Sequence, residues 1–528
     1  MLRSLLRILL SPGLTGVAGP TTNGRSRTSG SAGPPGHNGA AHGKGPGAAV
    51  PAAVPAALTS NGQTAAGTGG RSSTAELRRN VRGQVLVTGD LGYDEARLGH
   101  NRAAEYRPAV LVAATGAADV MAAVAYATDR ELPVAVLNTG HTAAPPADGA
   151  VLVNTRRMQG VRVDPVARRA RIEAGVRWEK VAHEAAAFGL APLSGSAPEV
   201  GAVGYTLGGG LPLLGRSFGY AADHVRSIDV VTAHGALRQA SPAAFDDLFW
   251  ALRGGKGNFG VVTSLEIDLV PVPRIYGGTL VFPGRTAPEV TQGYRRWAQG
   301  LPEEMSSSLA YLRLPLGMDG PPELRGRFVV AVRLAHTGPA ADGAELVRPL
   351  RRLGIPVLDS LREMPYTESG SIHSDPVEPF ALAERTVCLG ELTEDTVDAL
   401  VDAAGPDTTC PLQLVELRQL GGALARQPEV PNCVGNRDAG FSLYTAAAAG
   451  PGVDEHAELI VDRLRPWHSG GKLLNFMGRN EPVSGPDGSA YSAADLERLG
   501  EVKRLYDPEN MFRVNHNILP AVRRRAWA

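Results

Sequence analysis

Between Gly195 and Gly219 the chain reads GSAPEVGAVGYTLGGGLPLLGRSFG, with glycines at 195, 201, 204, 208, 209, 210 and 215 before the last. Glycine lets a backbone approach a ligand closely and adopt φ > 0. Successive backbone N–H groups in such turns form concavities that hold anions, and a diphosphate is the natural guest. A tight turn with no ligand is the plain alternative, because a Gly-rich stretch alone is a weak motif. Proton chemistry has candidates further along. Glu416 and Arg418 stand two apart in VELRQLGG, so strand alternation puts them on one face. Glu416 is a candidate base, with a structural Glu–Arg pair as the alternative. Tyr444, sharing a strand face with Ser442, is a second candidate; a packed ring is its other role. Arg437 suits a substrate anion, or equally a salt bridge near Asp438.

Gly255-Lys-Gly257-Asn-Phe-Gly260 satisfies GxGxxG, yet a helix is expected before it and a strand after it. The dinucleotide fingerprint needs the opposite order. A phosphate-binding P-loop is excluded too, since no Gly-Lys-Ser/Thr arrangement follows. Either a second edge of a nucleotide site or a plain turn explains these glycines. Cys388, Cys410 and Cys433 fit no zinc spacing, so no metal is expected, and an odd count argues against a disulfide framework.

The elements that position these groups follow from periodicity. A strand at Arg107–Ala113 precedes a helix at Ala117–Arg130, and Val134–Leu137 is a short strand that ends in Asn138-Thr-Gly-His141. Strands are expected at Ala150–Val153, Val161–Asp164, Arg169–Ala174, Val225–Ala233 and Val261–Val270, with helices at Trp178–Phe188 and Phe245–Leu252. Pro271 and Pro273 mark a boundary. Beyond it, strands at Tyr276–Phe282, Leu309–Leu314, Phe328–Leu334, Gln413–Leu417 and Phe441–Thr445 alternate with helices at Ala287–Gln299, Ala340–Leu353, Glu394–Ala404 and Asp454–Leu464. Ala493–Tyr506 is an amphipathic helix stopped by Asp507-Pro508. The pattern is α+β, with no regular βαβ repeat.

At 528 residues the chain exceeds one core. Residues 1–74 are expected to be a disordered Gly/Ala/Pro-rich tail, too poor in large apolar side chains to offset ordering entropy. Three segments follow, at 75–273, 274–471 and 472–528. The formal net charge is zero, which gives no reason to expect nucleic acid or an anionic membrane as a partner. No run is long and apolar enough to span a bilayer. The N-terminal MLRSLLRILLSPG mimics a signal peptide only weakly, because Arg7 interrupts it; a cytoplasmic location is expected, with export left open.

Four segments, in order, resemble the FAD-linked oxidases of the berberine-bridge-enzyme type, in the vanillyl-alcohol-oxidase or p-cresol-methylhydroxylase superfamily. They are Asn138–His141, Ser196–Gly210, Asp247–Gly260 and Tyr506–Phe512, and the resemblance runs from about Gly92 to Pro520. It implies a two-part FAD-binding domain over 75–273, a substrate domain with a helix-covered antiparallel sheet over 274–471, and a C-terminal segment that returns to the flavin. Gly201, Gly204, Thr206, Gly208, Gly209 and Gly210 would line diphosphate and flavin, with Asn138, Thr139 and Gly140 as the opposing wall. Gly257 and Val262 would sit near the nucleotide end, and Asn515 and Asn517 would close over the ring. His141 stands where the family often attaches flavin covalently, a hydrogen-bonding histidine beside a non-covalent flavin being the alternative. Glu416 would lie on a strand near the substrate, and Arg437 could steady reduced flavin.

Three departures matter. The cysteine of a second flavin link is Ala197, the GGGY tyrosine is Leu211, and the YxNF tyrosine is Leu473. Leucine takes no proton, so another base, an already acidic substrate, or water must serve. The expected function is oxidation of a small molecule, a secondary metabolite or a sugar, with O2 as electron acceptor and the oligomeric state left open. A flavoprotein scaffold for a non-redox step such as cyclisation, or a non-catalytic flavin binder, are the alternatives.

Overall fold

Short β-branched runs cut by Gly and Pro sort the chain into three sheets. The computed structural model describes residues 72–142, 145–317 and 321–522. The tail expected over 1–74 lies outside them except for its last three residues, where Ser73 caps the helix Thr74–Asn80.

The first sheet has the order Gln84–Leu86, Val110–Ala113, Val151–Asn154, Val134–Leu137. Its last three strands are parallel, and two of them are buried on both faces, which is why they read as unbroken apolar runs. The helix Ala117–Asp129 covers it. Asp119 fastens that helix by accepting bonds from the backbone N–H groups of Arg82, Gly83 and Thr115. The second sheet is antiparallel, in the order Val161–Asp164, Arg169–Glu173, Val261–Asp268, Val225–Val231, Leu237–Ala240.

The third sheet has eight antiparallel strands, with Arg274–Pro283, Phe328–His336, Met305–Arg313, Leu414–Gln419, Phe441–Ala448 and Leu382–Leu389 running side by side. One face packs Leu280, Val332, Leu309, Leu417 and Leu443 beneath the helices Ala287–Ala298, Ala340–Arg351, Glu394–Ala404 and Val453–Leu464. The other face turns toward the glycine segment. This is the α+β architecture expected, and the expected elements are present with ends shifted by a few residues. The strand Leu382–Leu389 was not foreseen. Its Thr386 is fully buried and its Glu384 partly so, so polar positions there do not mark an exposed face. The three cysteines are free and buried. No helix of the described residues is long and apolar enough to cross a membrane.

Residues after 472 pack back into the core around the second sheet, where Met477, Tyr491, Leu499 and Ile518 join Trp178, Phe249 and Phe259. An ion pair with no solvent exposure pins them: Lys503 Nζ lies 2.6 Å from Asp507 Oδ2. The ammonium also donates to Asn258 O at 2.6 Å, and Asp507 accepts from the N–H groups of Met511 and Phe512. Removing one partner of such a pair strands the other charge, so K503M or D507N should each cost about 3–5 kcal/mol. The double variant should cost clearly less than the sum, as read from urea denaturation midpoints.

Candidate functional site

A cavity of about 610 Å³ joins the glycine segment to the open face of the eight-stranded sheet. Asn138, Thr139, Gly140 and His141 line it from the end of the parallel strand Val134–Leu137, together with Gly201, Gly204, Gly257, Val262, Asn515 and Tyr444. Thr206, Gly208, Gly209, Gly210, Asn517, Glu416 and Arg437 are not among the lining residues.

Local packing explains the division. Thr206 is buried and returns its hydroxyl to Ala202 O at 2.8 Å, within the helix Ala202–Leu207. A Cβ at Gly208 would meet Asn475 Oδ1, and one at Gly210 would meet the Tyr205 ring, so these glycines make room for the protein's own side chains. Gly204 differs: a Cβ there would meet nothing within 4 Å, and the residue lines the cavity. Asn515 Oδ1 is buried there without a hydrogen-bond partner among the described residues. An open glycine cradle beside an unpaired acceptor fits a bound FAD.

His141 stacks on His100, with ring centroids 4.1 Å apart and planes 13° from parallel. Its Nδ1 lies 2.9 Å from Thr139 Oγ1, which also accepts from Gly201 N–H at 3.3 Å. Burial, then the nearby His100 and Arg177, push its pKa down to about 3, so the imidazole is neutral at physiological pH. Its lone pair is then available as a nucleophile.

Three carboxylates near the cavity have opposite environments. Glu416 is fully buried and accepts from Ser308 Oγ at 2.7 Å, Arg333 Nη1 at 3.0 Å and Arg418 Nε at 2.8 Å, with His373 Nε2 3.4 Å away. Burial raises its pKa, but Arg418, His373 and Arg333 outweigh that and hold it well below the usual carboxylate range. A carboxylate so held is a poor proton acceptor, and the arrangement is that of a buried Glu–Arg pair. Asp375 accepts from Ser196 Oγ at 2.6 Å. Glu384 lines the cavity with little help: Tyr444 Oη donates to its Oε2 at 2.9 Å, and Oε1 has no partner among the described residues. Burial pushes its pKa up to about 8 against the Tyr444 hydrogen bond and the charge of Lys256. Burial brings Lys256, on the same cavity, down to about 8.

Arg437 needs correcting as an anion site. It is buried against Asp223, at 2.6 Å, and bonds Asn432 and the carbonyls of Leu424 and Arg426 as well. Its ion-pair partner is thus Asp223, 214 positions earlier, and not the neighbourhood of Asp438. Leu211 and Leu473, in place of two tyrosines, belong to one apolar cluster. Glu384, Lys256, Arg333 and His373 were missed by sequence reading. For Lys256 a signal existed, since a cation inside a Gly-rich turn beside a suspected nucleotide site is unusual chemistry.

Comparison with known proteins agrees with this geometry. The family model described as an FAD binding domain matches residues 108–241, and that described as berberine and berberine like matches 475–519. (R)-6-hydroxynicotine oxidase of Paenarthrobacter nicotinovorans is 29% identical over 85% of this chain and 99% of its own. The FAD-dependent monooxygenase tpcD of Cochliobolus heterostrophus is 33% identical, over 77% of this chain and 83% of its own. Among solved structures, a glucooligosaccharide oxidase of Acremonium strictum, described with a 6-S-cysteinyl, 8α-N1-histidyl FAD, superimposes with a TM-score of 0.73 at 20% identity. The match covers 85% of this chain and all of that one.

The open cradle at Gly204 makes a test that separates folding from binding. G204A should leave the apoprotein as stable or slightly more so, since alanine is favoured in a helix. In an H141A background, where no bond through that imidazole holds the flavin, it should weaken FAD binding about tenfold, roughly 1.4 kcal/mol, as measured by fluorescence titration.

Proposed function

The chain belongs to the FAD-dependent oxidoreductases of the berberine-bridge-enzyme type, and from that premise we propose that it oxidises a C–H bond of a small, largely apolar metabolite with Tyr444 and Glu384 as the proton acceptor. One observation carries this reading: a single cavity holds both the glycine cradle and a tyrosine hydrogen-bonded to a carboxyl with a pKa of about 8. FAD, when bound, accepts the hydride that leaves the substrate carbon and passes the electrons on, with O2 as the proposed acceptor.

The protein's part is to bind, orient and move one proton. Asn138–His141, Gly201, Gly204, Gly257, Val262 and Asn515 are the residues proposed to hold the cofactor. Val281, Leu312, Val329 and Leu414 face the cavity from the sheet and offer no hydrogen bonds to sugar hydroxyls. Burying such hydroxyls unpaired is costly, which favours an apolar secondary metabolite over a sugar. Burial and the adjacent Glu384 hold the Tyr444 hydroxyl protonated. Tyr444 takes the substrate's proton on its oxygen as it passes its own to Glu384, so neither group must carry a buried charge it cannot share.

The pH dependence has a definite sign. Glu384 must be ionised to accept the proton, so kcat/KM should rise with pH through about 8. Y444F should lower it by about 10²- to 10⁴-fold, and E384Q should remove the rise as well. The Lys256 cation lowers the Glu384 pKa, so K256M should move the rise to higher pH. A profile in E384Q that keeps its alkaline limb would reject this assignment.

The neutral His141 supports a covalent flavin link through its imidazole, and Ala197 supplies no second one. Denatured protein on a gel should therefore fluoresce as flavin in the native sequence and lose that fluorescence in H141A.

A further inference from the structure

Across the open face of the large sheet, an aliphatic row of Val329, Leu312, Leu414 and Ala446 lies four residues along from a row that carries two arginines, with Glu416 and Tyr444 in the row between. Register aligns Thr279, Arg333, Ser308, Arg418 and Ser442 over five adjacent strands. Arg333 and Arg418 both line the cavity. Glu416 lies between them and neutralises only one of the two guanidinium charges. Arg333 is occupied, with one terminal nitrogen on Glu416 and the other 3.5 Å from His373 O.

Arg418 is not. Only its Nε reaches Glu416, and its two terminal nitrogens have no hydrogen-bond partner among the described residues. Its side chain keeps 14% exposure and lines the cavity. The guanidinium stacks over Phe476, 4.9 Å from the ring centroid, so its orientation is held. Two parallel N–H groups on a fixed, partly desolvated edge match a carboxylate or an ionised hydroxyl bidentately. Lys256, Arg333 and Arg418 bring three cations to this part of the cavity, alongside the carboxyls of Glu416, Asp375 and Glu384, the last pushed up to about 8 by burial.

Resting on the reading above, we propose that the substrate is an apolar acid whose carboxylate or ionised hydroxyl is gripped by the free edge of Arg418. Its ring or chain lies along Leu312, Val329 and Leu414, which line the same cavity. Phe476 lies under Arg418 and edge-on to Tyr444, with ring centroids 5.2 Å apart. The anion is therefore anchored beside the Tyr444 hydroxyl, and the bond oxidised is one close to the acidic group.

The test is calorimetric titration of anaerobic holoenzyme with three probes of similar shape: 2-naphthoate, an acidic nitronaphthol in its ionised form, and neutral 2-naphthamide. At least one anion should bind about tenfold or more tightly than the amide. Which one does so identifies carboxylate or ionised hydroxyl. R418M should erase the preference, and R418K, which keeps the charge but not the fork, should restore part of it. FAD absorbance and thermal midpoint report whether each variant is folded. Should R418M fail to fold, R418M/E416Q removes the fork at unchanged net charge and serves instead. Yellow protein that binds the amide as well as both anions, or a preference that persists without Arg418, overturns the proposal and leaves the flavin reading intact. Colourless protein that takes up no FAD overturns both.

Discussion

A single buried ammonium ties the far end of the chain to the site. Lys503 has no exposure, and its ammonium bonds Asp507 just past the end of its own helix, the carbonyl of Asn258 in the Gly-rich turn, and the carbonyl of Phe512. Asn258 completes the knot: its amide donates to Gly255 O and His516 O and accepts from Ile518 N–H. Two cavity-lining residues depend on it directly, Gly257 next to Asn258 and Asn515 three residues past Phe512. A buried charge is tolerated only when its partners are fixed, so this ion pair specifies where the terminal strap lies rather than adding much net stability. The strap in turn brings Asn475 and Phe476 against the glycine segment and the sheet. The cavity thus has three walls from three distant parts of the sequence, and the knot sets the third.

Desolvation acts on both Glu416 and Glu384, and the partners decide its outcome. Glu416 has two arginines, a serine and a histidine, and stays a saturated anion. Glu384, partly buried, has one tyrosine and a more distant lysine, and sits near 8. Environments that drive like groups apart in this way separate structural charges from working ones. In sequence a structural Glu–Arg pair stood beside the base role for Glu416, and Arg418 is the first of the neighbours that hold its carboxyl well below the usual range.

Elements were legible where periodicity is local. Val134–Leu137, Glu394–Ala404 and Ala493–Tyr506 match their expected spans, and Asn138–His141 does reach the cavity. Roles that depend on partners distant in sequence were not legible. Nothing near Arg437 announces Asp223, and nothing near Gly208 announces Asn475. Glycine is demanded wherever two parts of the chain crowd together, so the GGG turn looks alike whether ligand or protein presses on it. Glu384 escaped because a polar face turned to an internal cavity has the same alternation as one turned to water.

The two missing tyrosines and the proposed base are linked by packing. Leu473 clusters with Leu211 and Tyr220, and Phe476 packs on that cluster and against the Tyr444 ring. A hydroxyl at either leucine position would bring a polar group, and with it water or a competing hydrogen bond, toward this wall. Leucines there keep the surroundings apolar, and burial is the largest cause of the raised Glu384 pKa. Two leucines on the flavin side and a near-neutral carboxyl on the sheet side are therefore physically consistent with each other. The proposed phenol–carboxyl pair of Tyr444 and Glu384 stands on the same sheet that presents the free edge of Arg418.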